Sequence, residues 1–128
     1  MDNKLIKIII FTLLIDIIYL YFIGGYPFLI MVNNIQNTNK QTEIKYIGAI
    51  LAYIFIVFII YYFIIKEDKK PKDAFLLGLC VYGIFDATNY ALFEKYSLNI
   101  AIQDTLWGGT LFYLVTYLSL NIKLFDIL

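Results

Sequence analysis

The chain has 128 residues, 62% of them hydrophobic and 19% aromatic, with a mean hydropathy of +0.78. Ten lysines balance ten Asp and Glu, and there is no Arg or His, so the basic surface that nucleic-acid binding requires is missing. A single cysteine, Cys80, excludes an internal disulfide, and without His or a thiolate cluster the chain cannot build zinc or copper sites; only hard cations with oxygen ligands remain. Composition this apolar points to the membrane class, and the length allows one integral membrane domain, 1–128.

The first apolar segment runs from about Leu5 to Ile23. Lys4 and Lys7 give it a positive start, like that of a signal peptide. Its apolar part is long, however, contains Asp16, and ends in Gly24-Gly25-Tyr26-Pro27 with no small-x-small cleavage pattern, so it is expected to be retained. A long connection follows, about Gly24 to Lys45. Phe28 to Val32 is apolar and suits an interface, whereas Asn33 to Thr42 is rich in Asn, Gln and Thr and reads as a flexible loop, the best place for a lid.

The second segment is Tyr46 to Ile65. The short link Lys66 to Asp73 makes it an antiparallel neighbour of the third, Ala74 to Phe93, for which Asp73 is the expected N-cap. A tight turn over Glu94, Lys95, Tyr96 and Ser97 leads to the fourth, Leu98 to Leu120, capped by Ser97 or Asn99. Each segment is close to the ~20 residues a helix needs to cross ~30 Å of hydrocarbon. All four are too long for barrel strands and lack period-two alternation. The expected fold is all-α: a polytopic, four-helix transmembrane bundle with its longer outer loop between the first two helices.

Lys4, Lys7, Lys66, Lys69, Lys70, Lys72 and Lys123 fall on one side of this bundle, and Lys40, Lys45 and Lys95 on the other. The positive-inside rule then puts both termini in the cytoplasm. Tyr21, Tyr26, Tyr46 and Tyr96 on the outer edge and Tyr61, Tyr62 and Tyr117 on the inner read as an aromatic belt. Glu94, Lys95 and Asp126 read as edge charges. There is no phosphate-binding glycine loop, nucleophile elbow, heptad pattern or obvious repeat, and the sequence leaves any cofactor unknown.

Three aspartates interrupt the apolar segments: Asp16, Asp86 and Asp104. An Asp at a helix centre costs ~2.5–3.5 kcal/mol on the insertion scale, so such residues usually face inward and serve a function. At 1.5 Å per residue each lies ~9–10 Å below the outer end of its helix, and Tyr53 falls near the same level. On the same helical faces, three or four residues away, stand Thr12 and Tyr19, then Tyr82, Gly83, Asn89 and Tyr90, then Trp107 and Gly108. The glycines are expected to let backbones approach beside the carboxylates. Should the fourth helix begin later, Asp104 becomes an exposed N-cap instead.

The run Tyr82-Gly83-Ile84-Phe85-Asp86-Ala87-Thr88-Asn89-Tyr90-Ala91 and the run Asp104-Thr105-Leu106-Trp107-Gly108 resemble the Tyr-Gly-x-x-Asp-x-Thr-Asn-x-Ala and Asp-x-x-Trp-Gly signatures of a small bacterial family of four-helix membrane proteins with no assigned activity. The resemblance extends over nearly the whole chain, including an Asp followed by an aromatic on the first helix, here Asp16 and Tyr19 where the family favours Trp. It implies that Asp86, Thr88, Asn89, Asp104, Trp107 and Gly108 belong together; Thr88 enters through the motif alone.

The candidate ligand-binding set is therefore Asp16, Tyr19, Tyr53, Tyr82, Asp86, Thr88, Asn89, Asp104 and Trp107. Crowded carboxylates in low dielectric cannot all ionise. They either share protons and clamp the bundle or bind what supplies the missing charge. The leading expectation is binding or passage of a cation, proton or small polar ligand. The alternatives are a structural subunit that pairs with itself or with another membrane protein, and a lipid-modifying enzyme using paired carboxylates as acid and base.

Overall fold

The structure, a computed structural model, describes residues 3–37 and 42–123. Lys40, the middle of the expected lid and Asp126 lie outside the described residues. All regular structure in the described part is helical: α1 (Asn3–Tyr19), α2 (Gly25–Gln36), α3 (Tyr46–Ile60), α4 (Pro71–Leu92) and α5 (Leu98–Asn121), with π-helical turns at Leu20–Gly24 and Tyr61–Ile65.

The first helix does not stop at Gly24. It continues through the π turn into α2 as one helical stretch of 34 residues, Asn3–Gln36, so the expected outer loop is largely helix. Pro27 follows directly on the π turn, which takes up the disruption a proline causes in a continuous helix. The π turn absorbs the change of register, with the Gly25 N–H bonded to the Leu20 carbonyl. Gly24 is required by space: a Cβ there would sit 2.4 Å from Cε1 of the Tyr19 ring. At ~1.5 Å per residue the stretch is ~51 Å long, more than a bilayer's ~30 Å hydrocarbon core. Its last third, α2, turns its apolar side to the α4–α5 turn, where Met31 shares a small core with Tyr96 and Ala101. Asn37, in the left-handed conformation at φ 53°, ends α2, and the Asn33 side chain accepts bonds from the Thr42 backbone and hydroxyl.

The second span has the expected limits, Tyr46–Ile65, its last turn being π-helical. The third begins three residues before the expected Ala74, because Pro71 takes the first helical position, where its fixed φ helps and its missing N–H costs nothing. Asp73 is accordingly not the N-cap; it lies inside the first turn and accepts the Lys70 N–H at 3.0 Å. Ser97 caps α5, accepting the Ile100 N–H at 3.3 Å, so Asp104 is an interior residue and not an exposed cap.

Three stretches, of 34, 20 and 22 residues, are long and apolar enough to cross a membrane. The 24-residue α5 has the length but carries Asn99, Gln103, Asp104 and Thr105 in its first two turns. It is also the helix with the most buried residues: Ala101, Gly108, Gly109, Leu111, Phe112, Val115, Thr116 and Ser119 all face other helices. A helix enclosed by protein does not have to be apolar on every side.

α5 packs along α4 on one side and α1 on the other, and α3 packs on α1. The α4–α5 approach is close enough that a Cβ on Gly78 would lie 2.2 Å from the Gly108 carbonyl oxygen, and one on Gly108 would lie 2.2 Å from Cγ of Tyr82. Gly83, expected to serve the same purpose, does not: its Cβ would make ordinary contact with Thr105 at 3.4 Å. The short link does not make α3 and α4 neighbours along their length. They share a core near that link, where Ile60, Ile64, Ile65 and Ala74 meet Ile8 and Phe112, and α3 otherwise leans on α1. The outer surface is apolar, with Ile17, Ile47, Phe55, Ile84 and Leu92 all more than half exposed, as lipid-facing residues would be.

Substituting Gly78→Ala presses a methyl onto a backbone oxygen that cannot move aside. Unfolding of the purified protein should show a loss of ~1–3 kcal/mol. Gly48→Ala on α3, where an added Cβ meets nothing within 4 Å, should leave stability unchanged or slightly raised.

Candidate functional site

α1, α3 and α5 converge on Asp16, which is 6% exposed. Its Oδ2 accepts the Tyr53 hydroxyl of α3, and its Oδ1 accepts the indole N–H of Trp107 on α5 at 2.8 Å. One turn along, the Tyr19 ring lies flat on the Trp107 ring, with centroids 3.9 Å apart and planes 8° from parallel, and its hydroxyl accepts from Gln103 Nε2 at 3.1 Å. The pairings Asp16–Trp107 and Tyr19–Gln103 run in opposite directions along the two helices, so α1 and α5 are antiparallel. That alternation brings Asp16 level with Tyr53 and Trp107, which it meets.

Asp86 on α4 is buried more completely, at 1% exposure. Its Oδ1 accepts the Tyr96 hydroxyl at 2.7 Å and its Oδ2 the Thr105 hydroxyl at 3.3 Å. Tyr96 was expected in the aromatic belt; it instead folds inward from the α4–α5 turn and is 5% exposed. Burial and the adjacent Asp86 carboxyl push its phenol above the ordinary range, so it stays a donor, and Asn89 bonds to it in turn. Asp104, one turn before Gly108 on α5, is in hydrogen-bonding contact with Asp86. The Tyr82 ring lies across Gly108 and lines the same cleft as Asp16 and Asp104.

The cluster is the floor of a cleft of about 870 Å³. α1 and its π turn form one wall, α3 and α4 the others, and Asp16, Tyr19, Tyr82, Asp104 and Trp107 all line it. The parting of α3 from α4 opens it. The walls are mostly apolar, including Ala52, Phe55 and Ile56 from α3 and Val81 and Phe85 from α4.

Of the candidate residues, Asp16, Tyr19, Tyr53 and Trp107 form one group of contacts and Asp86, Asn89 and Asp104 belong to a second; Tyr82 lines the same cleft as Asp16 and Asp104. Thr88 joins neither: two residues from Asp86, it is exposed on another side of α4, and Tyr90, though on the face of Asp86, is exposed as well. Thr105, Tyr96 and Gln103 complete the two groups and were not anticipated. Thr105 is next to Asp104 in sequence, but only the tight α4–α5 seam aims it at Asp86. Tyr96 could have been suspected, since a turn of four residues leaves its ring within reach of the last turns of α4. Thr12, one turn from Asp16, is fully buried, and its hydroxyl has no hydrogen-bond partner within the described residues. Among those residues no three of Asp, Glu and Cys converge closely enough to hold a metal ion.

The chain matches the family model described as "Predicted membrane protein (DUF2177)" over residues 3–121 and belongs to that family. No curated protein and no solved structure matches it. Membership agrees with the apolar surface and the spanning helices: this is an integral, multi-pass membrane protein with buried aspartates in a polar cluster.

Replacing Asp16→Ala takes the acceptor from both the Tyr53 hydroxyl and the Trp107 N–H. Each buried donor left without a partner costs ~1–3 kcal/mol, so the variant should be destabilised by more than Tyr53→Phe, which removes one donor only. The indole N–H resonance of the one tryptophan should shift in Asp16→Ala and hold its position in Thr88→Ala.

Proposed function

We propose that this family member binds a positively charged or hydrogen-bond-donating ligand at the floor of the cleft, with Asp104 as the binding carboxyl and Asp16 and Asp86 as its supports. The observation that carries this reading is the unequal engagement of the acids. Both oxygens of Asp16 and of Asp86 accept bonds from Tyr, Trp or Thr donors, whereas Asp104 lines the cleft and is engaged by Asp86, itself an acid. None of the described residues that line the cleft is a lysine, so none of them supplies a cation there. The hydroxyl of Thr12, one turn from Asp16, adds a second buried polar group without a partner among the described residues.

In this reading α5 crosses the membrane as the fourth span, lying at the centre of the bundle where its polar first turns are covered. The lysine bias puts both termini on the cytoplasmic side and the acid layer in the outer half of the membrane. Asp16, tied to α3 and α5, and Asp86, tied to α5 and its preceding turn, act as clamps. This favours a structural role for those two and leaves the exchangeable position to Asp104.

Thermal unfolding of the purified protein against a panel of inorganic cations and short amines tests the assignment. A ligand at 100 times its Kd adds ~2.7 kcal/mol. Stabilisation by a cationic member of the panel is expected in the native protein and absent in Asp104→Asn, with the variant still monodisperse and helical. If every cation leaves the native protein unmoved, or if Asp104→Asn responds as the native protein does, the assignment is wrong.

A further inference from the structure

The shape of the cleft carries information about the size and character of what it holds. At about 870 Å³ it is far larger than a proton or an inorganic ion needs, and it falls in the ~300–1,000 Å³ range of pockets that bury a drug-sized organic molecule. Polarity is unevenly distributed inside it. The acids and their aromatic partners are gathered on the floor, while the walls towards the opening are Ala52, Phe55, Val81 and Phe85. Phe55 and Phe85 are 64% and 51% exposed, and the surface outside them continues as Ile54 and Ile84, at 55% and 69%. The opening therefore faces sideways, onto the apolar belt of the protein. A molecule entering this way moves its apolar part from hydrocarbon to hydrocarbon-like walls. Only its head needs partners.

The floor fixes the sign of the head. Two carboxyls line it, a third is bonded behind them, and no lysine is among its described lining residues. An anionic head would be repelled. An ammonium supplies the missing positive charge and N–H donors for Asp104 together, and charge-assisted bonds of that kind are about twice as strong as neutral ones. The stacked rings of Tyr19 and Trp107 offer an aromatic face of the sort that attracts organic cations. A metal ion fits less well, because the three carboxyls do not converge on one point and two of them already have both oxygens engaged.

We propose that the cleft binds a cationic amphiphile from the bilayer, its amino head on Asp104 and its apolar chain between α3 and α4. This rests on the reading of Asp104 as a cation-binding carboxyl and adds the class of ligand to it.

The single tryptophan provides the readout, since Trp107 lines the floor. The full-length protein in a non-ionic detergent is titrated with dodecylamine, dodecan-1-ol and propylamine while Trp107 fluorescence is followed. Dodecylamine should give a saturable change at a concentration at least tenfold below that for dodecanol. Asp104→Asn should abolish that preference. Ala52→Phe, which fills the cleft at its wall without touching the acids, should weaken dodecylamine about tenfold and leave the feebler response to propylamine as it was. Equal binding of the alcohol and the amine would overturn the proposal, leaving a lipid-filled groove. So would an unchanged preference in Asp104→Asn. Propylamine binding as tightly as dodecylamine, through Asp104 in both cases, would also overturn it while the cation site itself stands. Failure of every amine to bind would overturn this proposal, and the cation panel would then decide the reading of Asp104 by itself.

Discussion

A carboxyl group in an apolar interior has to be satisfied by whatever the surrounding chain can bring to it, and the packing of this protein follows from that requirement. Asp16 is met by donors from two other helices, Tyr53 on α3 and Trp107 on α5. Asp86 is met by one donor from α5, Thr105, and one from the turn before it, Tyr96. Each acid thus holds together elements distant in sequence. Van der Waals contact between apolar helices selects among arrangements weakly when lipid tails offer much the same contacts, whereas a buried acid accepts only those that bring it donors.

The glycines make the second of these unions possible. Without side chains at Gly78 and Gly108, α4 and α5 touch backbone to backbone, and the Tyr82 ring lies across Gly108. That closeness lets the short Thr105 side chain reach Asp86 and sets Asp104 against the same carboxyl. Because α4 is committed to α5 over its length, it is unavailable to α3, which leans on α1. The cleft and the acid floor are thus two outcomes of one packing choice. A bundle with α3 and α4 in full contact would bury the same acids with no way in.

The helix that carries the most site residues is also the least typical membrane helix. α5 contributes Gln103, Asp104, Thr105 and Trp107 from two consecutive turns, and its opposite end is buried among Ile8, Ile60 and Ala74. Its central place allows it to be polar at one end. The extension of the first helix through a π turn into α2 covers the α4–α5 turn from outside and supplies Met31 against Tyr96, the donor to Asp86. π turns often mark functional positions, and the one at Leu20–Gly24 borders the cleft.

Much of this was legible in the chain alone. Runs of about twenty apolar residues specify spanning helices without any knowledge of tertiary structure, because the bilayer's thickness fixes the length and backbone hydrogen bonding fixes the conformation. The limits of the second span and the cap at Ser97 followed from local chemistry. A helix converts sequence distance into height, which is why counting residues could place Asp16 near the level of Tyr53, the residue it meets. Counting fails where a helix continues against expectation, as it does through Gly24 and Pro27, because a π turn takes up what Pro27 would otherwise break. Height also says nothing about azimuth between helices. Only tertiary packing decided that Asp16 would meet Tyr53 and Trp107, that Tyr96 would turn inward, that Thr88 would face away, and that a cleft would open between α3 and α4. Those outcomes depend on which helix faces which, and that was settled by the glycine contact between α4 and α5 and by the donors each acid required.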